Sequence, residues 1–491
     1  MPTPVSTRLP GRLTASLACA LVLAGCASSH GLSTTGQALD ADTLTAQQSL
    51  GVDAYSAAAF PSQDWWNTLG DPQLDSLIQE ALAGSPSLAA ADARLRQAQA
   101  QAGLSDAQRR PTLEASGQYA GAQLPKGLAG DELGGDLMWT NVLMLNFKWA
   151  PDLWGGQRAA WESAVGQARA AQVDAQAARL TLSANIARTY ISLSQAYEAL
   201  DVARREQQRS GHLRDLSQQR VSAGLDNDLQ LRQAESTIAG ARQQEQAAEH
   251  QITLLHNALA ALLGKGPDRG QSITQPRLLQ APAPGVPGVL PSELLGHRAD
   301  VVAARWRVEA ANRGVDARAA AFKPSVNLNV IAGLASAHLS DLFDSDSVLG
   351  LGGPAISLPI FDGGRLRANL DNADAQYDLA VANYNQALVG AMREVADAVQ
   401  SARSLDAQTQ SVSQARDAAQ KAFDLASSRY DAGLGTQLDV LNAQRPLLQL
   451  EQQLAALHAQ RYAAVVDLDQ ALGGGLQLTA PSSNMTAETT P

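Results

Sequence analysis

The run Arg220-Val221-Ser222-Ala223-Gly224-Leu225 returns as Arg429-Tyr430-Asp431-Ala432-Gly433-Leu434, 209 residues later, and that return decides the fold. Leu263-Gly264 comes back as Leu472-Gly473 at the same distance. Gly155-Gly156 comes back as Gly363-Gly364 after 208 residues, and Pro111 of Arg-Arg-Pro-Thr as Pro324 of Phe-Lys-Pro-Ser after 213. Four landmarks in one order at nearly one spacing make an internal duplication, and such self-similarity is read before single elements are. Pro282, Pro284, Gly285, Pro287 and Gly288, between Pro276 and Pro291, mark the joint between copies. The chain thus divides into a leader at 1–25, an extended linker at 26–62, a first copy at 63–268, a joint at 269–291, a second copy at 292–475 and a flexible tail at 476–491.

Each copy changes texture in the same order: helix, two strands, a very long helix, a turn, a shorter helix. The first helix is expected from about Pro72 to Gln108, and its counterpart from about Ser292 to Ala321. Strands are expected at about 111–149 and 324–360. In the first, Trp139, Asn141, Leu143, Leu145, Phe147 and Trp149 place mostly apolar residues on one parity; in the second, Val326, Leu328 and Val330 alternate with Asn327 and Asn329. Soluble strands give the same alternation, but strands of about ten residues with Tyr119, Trp139 and Trp149 at their ends match membrane barrel strands with interfacial girdles.

From Arg158 to about Arg220 the chain is rich in Ala, Gln and Arg without Pro, enough for a helix roughly 90 Å long at ~1.5 Å per residue. Trp161, Ala164, Ala168, Ala171, Ala175, Ala178 and Leu182 fall at spacings of three and four, as do Leu366, Leu370, Ala373, Tyr377, Ala380, Tyr384 and Ala387 in the second copy. These are coiled-coil seams of mostly small residues, where an ordinary bundle core uses Leu and Phe. An aromatic content of 4% likewise argues against large helix-packed cores. The tips between long and short helices fall at 220–228 and 429–437.

Four strands cannot close a barrel, and an open sheet edge in lipid leaves backbone groups unsatisfied at several kcal/mol each. The chain must therefore oligomerise. Two copies supply eight strands and three supply twelve, and both closures satisfy the argument.

Composition removes other classes. The 491 residues hold 37 Lys and Arg against 48 Asp and Glu, a net charge of −11 with no long basic run, which excludes nucleic acid as a partner. There is no Gly-x-Ser-x-Gly elbow, and Gly264-Lys265-Gly266 lacks the upstream Gly and the Ser or Thr of a phosphate loop. Gly350-x-Gly352-Gly353 runs into Pro354 and reads as a kinked strand. His250 and His256 are six apart on a helix, which turns them to different faces and argues against a metal pair. No catalytic residue, metal or cofactor is expected, and no nucleotide site is present from which the chain could draw energy.

Arg8 and Arg12 precede an apolar run at 13–23, the n-region and h-region of an export signal, too short for a membrane span. The run ends Leu23-Ala24-Gly25-Cys26, which resembles a bacterial lipoprotein signal; the resemblance implies that Cys26 becomes the acylated terminus. Cys19 lies in the removed leader, so disulfides and Cys metal sites are excluded. Ala27 in place of Asp is, by the same analogy, an outer-membrane address.

Trp65-Trp66, Asp71-Pro72-x-Leu74, Ala91-x-Ala93-Arg94-Leu95-x-Gln97-Ala98 and the duplicated Arg-x-x-Ala-Gly-Leu turns together resemble outer-membrane efflux proteins of the TolC and OprM type, nearest the NodT-like lipoproteins. The resemblance runs from about Trp65 to Gly473. It implies a mainly α fold with membrane β: a homotrimer whose chains each give four strands to a twelve-stranded barrel and their helices to a periplasmic α-barrel. The family pattern usually has Pro where this chain has Ala299, in Arg298-Ala299-Asp300-Val301, which concerns a local turn.

The expected function is a passive exit duct for small molecules, lipid-anchored in the outer membrane, extending into the periplasm and shut at its helix tips. Its implied partners are a periplasmic adaptor protein and an inner-membrane RND-type transporter. The docking tips would use Arg220, Gly224 and Leu225 with Arg429, Gly433 and Leu434. By resemblance Asp439 matches the first of two carboxylates that ring the constriction, and three copies would form a cation-attracting collar. The second position is Asn442, and in the first copy Gln230 takes the place of Asp439, with Asp226 and Asp228 nearby. Asp439 also suits a solvated helix start. Two further readings stay open: a duct for type I secretion of a polypeptide, and a periplasmic coiled-coil lipoprotein or adaptor without a pore.

Overall fold

A computed structural model describes residues 31–44, 55–56, 60–123, 127, 137–278, 286–287 and 294–476. The leader, Cys26, about half of the joint and nearly all of the tail lie outside the described residues. The main elements are α1 (Pro72–Gly84), α2 (Pro86–Ala107), β1 (Thr112–Gln123), β2 (Leu137–Trp149), α3 (Gly156–Ser222), α4 (Asp228–Leu262), α5 (Ala299–Ala320), β3 (Ser325–Ser336), β4 (Val348–Ser357), α6 (Arg365–Asp431) and α7 (Gln437–Ala471). The duplication is kept to the residue. Helices α3 and α6 are both 67 residues long and α4 and α7 both 35. At ~1.5 Å per residue α3 and α6 each run about 100 Å. No described helix is long and apolar enough to cross a membrane.

The chain forms two compact units, each built from both copies. One takes Arg96–Ala170 and Ala304–Tyr384 with the described residues up to Ala38, and holds a four-stranded antiparallel sheet in the order β1-β2-β3-β4. Register fixes its two faces. Tyr119 opposite Asn141, Leu143 opposite Leu334, Leu145 opposite Ala332, Phe147 opposite Val330 and Trp149 opposite Leu328 share one face, and Leu113, Leu143, Leu145, Trp149, Val330 and Ile356 on it are exposed. Its polar positions, Gln123, Asn141 and Ser336, lie toward one end; Asn141 is buried, and its amide donates to the Ser336 and Ala337 carbonyls at 3.4 Å. The other face is mixed: beside Val142, Met144, Ile331 and Leu351 it carries Ser116, Gln118, Thr140, Asn146, Asn327 and Asn329 and the only two charges in the sheet, Glu114 and Lys148, 3.7 Å apart. Trp139 stacks on Tyr119 with centroids 4.7 Å apart. Ten residues separate it from Trp149, about 33 Å along a strand and about 25 Å when tilted, the height of a barrel's apolar band. A mostly apolar face for lipid, a face that holds all of the sheet's charge for water, and two unpaired edges, β1 and β4, are what one part of a membrane barrel requires.

Beneath the sheet the helix ends approach closely because small residues face one another. A Cβ on Gly166 of α3 would sit 2.9 Å from the Ala310 Cβ of α5, so the pair tolerates only glycine there. The N-terminal segment is held on α6: Thr35 donates N–H and Oγ1 to Asp378 at 2.9 and 2.6 Å, and the Gly36 N–H adds a third bond at 2.7 Å. Thr35 lies nine residues after Cys26.

The second unit takes Leu39–Leu95, Ala171–Ala303 and the chain from Asn385 onward. It corrects two expectations. The helix expected over Pro72 to Gln108 is two helices, because Pro86 cannot continue α1, which ends on an extended Ser85. Its counterpart is likewise broken, into Leu294–His297 and α5. Ala299 stands at the first position of α5, where Pro is favoured but not required, so the departure from the family pattern leaves the helix start intact.

A substantial helix-packed core is also present despite the scarcity of aromatics. Trp65, Trp66, Leu69, Leu74, Leu77 and Ile78 are buried against Leu182, Ile186, Tyr190, Leu193, Leu259 and Leu263. The aromatics are few but concentrated. Asp71 caps α1 through the Gln73 N–H and also accepts from the Tyr190 hydroxyl at 2.7 Å and the Arg277 N–H at 2.6 Å. Burial pushes the Tyr190 phenol well above its ordinary range, keeping it a neutral donor. Of the expected seams, Ala175, Leu182, Leu366, Leu370, Ala373 and Tyr384 are buried, and the remaining positions are half-buried.

Candidate functional site: the helix tips

The recurring Arg-x-x-Ala-Gly-Leu is a helix stop. In the first copy the Leu225 N–H returns to the Arg220 carbonyl at 2.9 Å and the Gly224 N–H to Val221 at 3.0 Å; in the second, Leu434 returns to Arg429 at 2.8 Å and Gly433 to Tyr430 at 3.0 Å. This doubly bonded cap needs a left-handed residue, and Gly224 and Gly433 have φ of 72° and 75°. The next helix starts alike. Asn227 caps α4 in a reciprocal box with Gln230, and Thr436 caps α7 in a reciprocal box with Asp439.

The two tips are tied to each other within the chain. The Tyr430 hydroxyl donates to Asp226 Oδ2 at 3.0 Å, and Arg220 Nε reaches the same oxygen at 2.8 Å. The Arg220 guanidinium also lies over the Tyr430 ring, 4.8 Å from its centroid. The Arg220 bond, helped by the Tyr430 hydroxyl, holds the Asp226 carboxyl below the usual carboxylate range, and burial raises the Tyr430 phenol. Gln437, buried, donates to the Gln230 carbonyl at 2.9 Å. Tyr430 packs with Leu213 and Val440. Farther along, α3 and α7 are joined again: Gln444 bonds Glu206 and Ser210, and Arg209 bonds Glu451 at 2.7 Å.

The site residues expected from sequence fall into three groups. Asp226 and Arg220 are partly buried in the tie. Asp228, Asn442 and Asp439 are exposed; Asp228 lies 3.5 Å from Arg232, and Asp439 accepts from the Thr436 N–H at 2.9 Å, which lowers its pKa. Leu225 and Leu434 are exposed at the turns, while Arg429 reaches its own turn at the Leu434 carbonyl. Reasoning from sequence missed Tyr430 and Gln437, and also Leu229 and Leu438, exposed at equivalent places in the two copies. A signal for Tyr430 existed: it stands beside the duplicated Arg where the first copy has Val221. Among the described residues no three His, Cys, Asp or Glu side chains converge on a metal position.

A duplicated pair of long helices ending in linked tips, joined to one part of a membrane sheet, narrows the family. The chain matches the sequence profile of the outer membrane efflux protein over residues 77–265 and 290–474. It belongs to the outer membrane efflux protein family. It is similar to the fusaric acid resistance protein FusA of Burkholderia cepacia, 38% identical over 74% of this chain and 69% of that one. The pyoverdine export outer membrane protein OpmQ of Pseudomonas putida is 32% identical over 87% of this chain and 92% of its own length. In structure it is similar to the outer membrane protein VceC of Vibrio cholerae, with a TM-score of 0.80 and 37% identity over 85% of this chain and all of that one. The fold is therefore the TolC-like channel fold, and the protein is an outer-membrane efflux channel component that extends into the periplasm.

Proposed function

We propose that three copies of this chain close into a passive exit duct for small molecules, shut at the periplasmic end by the linked helix tips. The observation that carries this reading is the tie of Asp226 to Tyr430 and Arg220, because it holds the first tip against the second and must break for the tips to part. Four strands with two open edges and an apolar outer band support closure by further copies, twelve strands in a trimer. The names of FusA and OpmQ support small-molecule cargo. The exposed leucine pairs, Leu225 with Leu229 and Leu434 with Leu438, together with Arg429, support docking of a periplasmic adaptor and, through it, an RND-type inner-membrane transporter that supplies the energy. The duct does no chemistry of its own. Cys26 is the lipid anchor in this reading; fatty-acid labelling that persists in Cys26→Ser would remove it.

The decisive experiment is single-channel recording in a planar bilayer. Wild type is expected to stay mostly closed, and Asp226→Ala combined with Tyr430→Phe to conduct persistently. A double variant as closed as wild type, with the mass of a trimer by light scattering, ends the gate reading.

A further inference from the structure

The sheet ends in two different electrical environments. At the end from which α3 and α6 leave, the chain crosses at 109–111, 150–158, 321–324 and 358–365, and these crossings hold Arg109, Arg110, Arg158, Lys323 and Arg365 against Asp152 and Asp362 only. Across the far end, the turn between β3 and β4 holds Asp341, Asp344 and Asp346 without a Lys or Arg. In a chain of net charge −11, the basic end goes against the overall balance.

The carboxylates near the basic end are engaged by helix starts or partly buried, while Arg110, Arg158, Lys323 and Arg365 are exposed. Asp152 accepts from the Arg158 N–H at 2.7 Å, and Asp362 from the Gly364 and Leu366 N–H groups at 3.1 and 2.8 Å, so both are spent on helix starts. Side-chain exposure is 73% for Arg110 against 27% for its partner Asp106, 68% for Arg158 against 26% for Glu162, and 68% for Arg365 against 14% for Asp362. A surface meeting this end meets positive charge. Exposed pairs of this kind hold their cations by less than about 1 kcal/mol, leaving them able to take another anion.

Apolar side chains sit beside the cations. Trp149, Leu153, Trp154, Ile360 and Phe361 are exposed, and the Lys323 ammonium lies 5.2 Å from the centre of the Trp154 ring, whose Nε1 donates to the Pro324 carbonyl at 2.6 Å. Aromatic rings with Lys and Arg next to them are the composition of a protein surface at the boundary of acyl chains and headgroups.

We propose that this end of the sheet is a docking collar for anionic phospholipid of the periplasmic leaflet, with Arg110, Arg158, Lys323 and Arg365 on the phosphates and Trp154 and Phe361 at the acyl boundary. The long helices leave from this end and the family extends into the periplasm, which selects that leaflet. The acidic far end repels the same lipid. Each cation contributes about 1 kcal/mol toward an anionic surface, about fivefold in binding.

Native mass spectrometry of the full chain in detergent, with phosphatidylglycerol and phosphatidylcholine of matched acyl chains at equal concentration, tests this. Wild type should retain phosphatidylglycerol in at least about tenfold excess, Lys323→Gln should lower the excess about fivefold, and Arg110→Gln with Lys323→Gln and Arg365→Gln should abolish it. Asp341→Asn with Asp344→Asn should leave it unchanged. The same spectrum gives the assembly mass, and if the triple variant does not assemble, Lys323→Gln alone decides. Equal retention of the two lipids by wild type, or an undiminished excess in the variants, overturns the proposal; the latter result would place these cations on water in the lumen.

Discussion

The two helix tips have one backbone and two chemistries. Both stop on a left-handed glycine with the same pair of returning bonds, and both restart on a reciprocal capping box. The side chains then part company. In the first tip Arg220 turns inward to a half-buried Asp226, while in the second the equivalent Arg429 reaches only its own Leu434 carbonyl, and Tyr430 crosses to the first tip. The two hairpins share a backbone, and their side chains make one the holder and the other the held. The side chains that tie the tips together sit in the differences between copies.

The largest effect should follow from removing the element that only one tip has. Asp226→Ala leaves the Arg220 guanidinium and the Tyr430 hydroxyl without their shared acceptor. Hydrogen bonds to charged groups are worth about 1.5–3 kcal/mol, so the closed state should lose about ten- to a hundredfold against the open one in bilayer recordings. Asp439→Ala, at an exposed capping site of the second tip that takes no part in the tie, should leave closure within about threefold. Equal leak from the two variants breaks the comparison. The pH dependence sharpens it. A carboxylate with a depressed folded pKa contributes its full stabilisation above its unfolded value, near 3.8, and loses it as pH falls through the folded value below that. Closure through Asp226 should therefore be flat from pH 7 to pH 5, and a leak that opens in that window points to another group.

The backbone of this comparison was legible in sequence, since glycine at a helix stop and Asn or Thr at a helix start leave local signatures that recur at a fixed distance. The strands were legible for a similar reason: parity alone separates Leu143, Leu145 and Phe147 from Lys148. What sequence hid was tertiary. Tyr430 bonds a carboxylate some two hundred residues away, and only the fold brings them together. The core around Trp65 was masked by composition, because a low average says nothing about where the few large residues gather. Sequence puts Asp226 among the gate acids and Arg220 among the docking residues of the tip, so the two do not read as a pair until the fold joins them through Tyr430.

Next in size is the cost of the shared turn. A Cβ at Gly224 or Gly433 meets nothing within 4 Å, so Gly224→Ala and Gly433→Ala should each cost only the left-handed penalty, about 1–2 kcal/mol, and by nearly equal amounts in denaturant unfolding. A difference above about 1 kcal/mol between them would mean that the turns are coupled to the tie and not independent.

The smallest effect separates two roles for one residue. Gln230 and Asp439 stand at the same place in the two capping boxes, but only Asp439 carries charge at the positive end of its helix. If capping is all that it does, exchanging the residues should be symmetrical: Gln230→Asp should stabilise and Asp439→Gln destabilise by about 0.3–1 kcal/mol each, read in the same unfolding series. A collar role adds a second readout that capping does not touch. In a trimer, Asp439→Gln would then remove three charges from the constriction and weaken block by divalent cations in the bilayer, and Gln230→Asp would strengthen it only if the first tip also faces the axis. Loss of stability without change in block assigns Asp439 to its helix. Loss of block with a Gln that caps as well as its counterpart in the first copy assigns it to the pore, because the capping geometry would then be common to both copies and the charge particular to one.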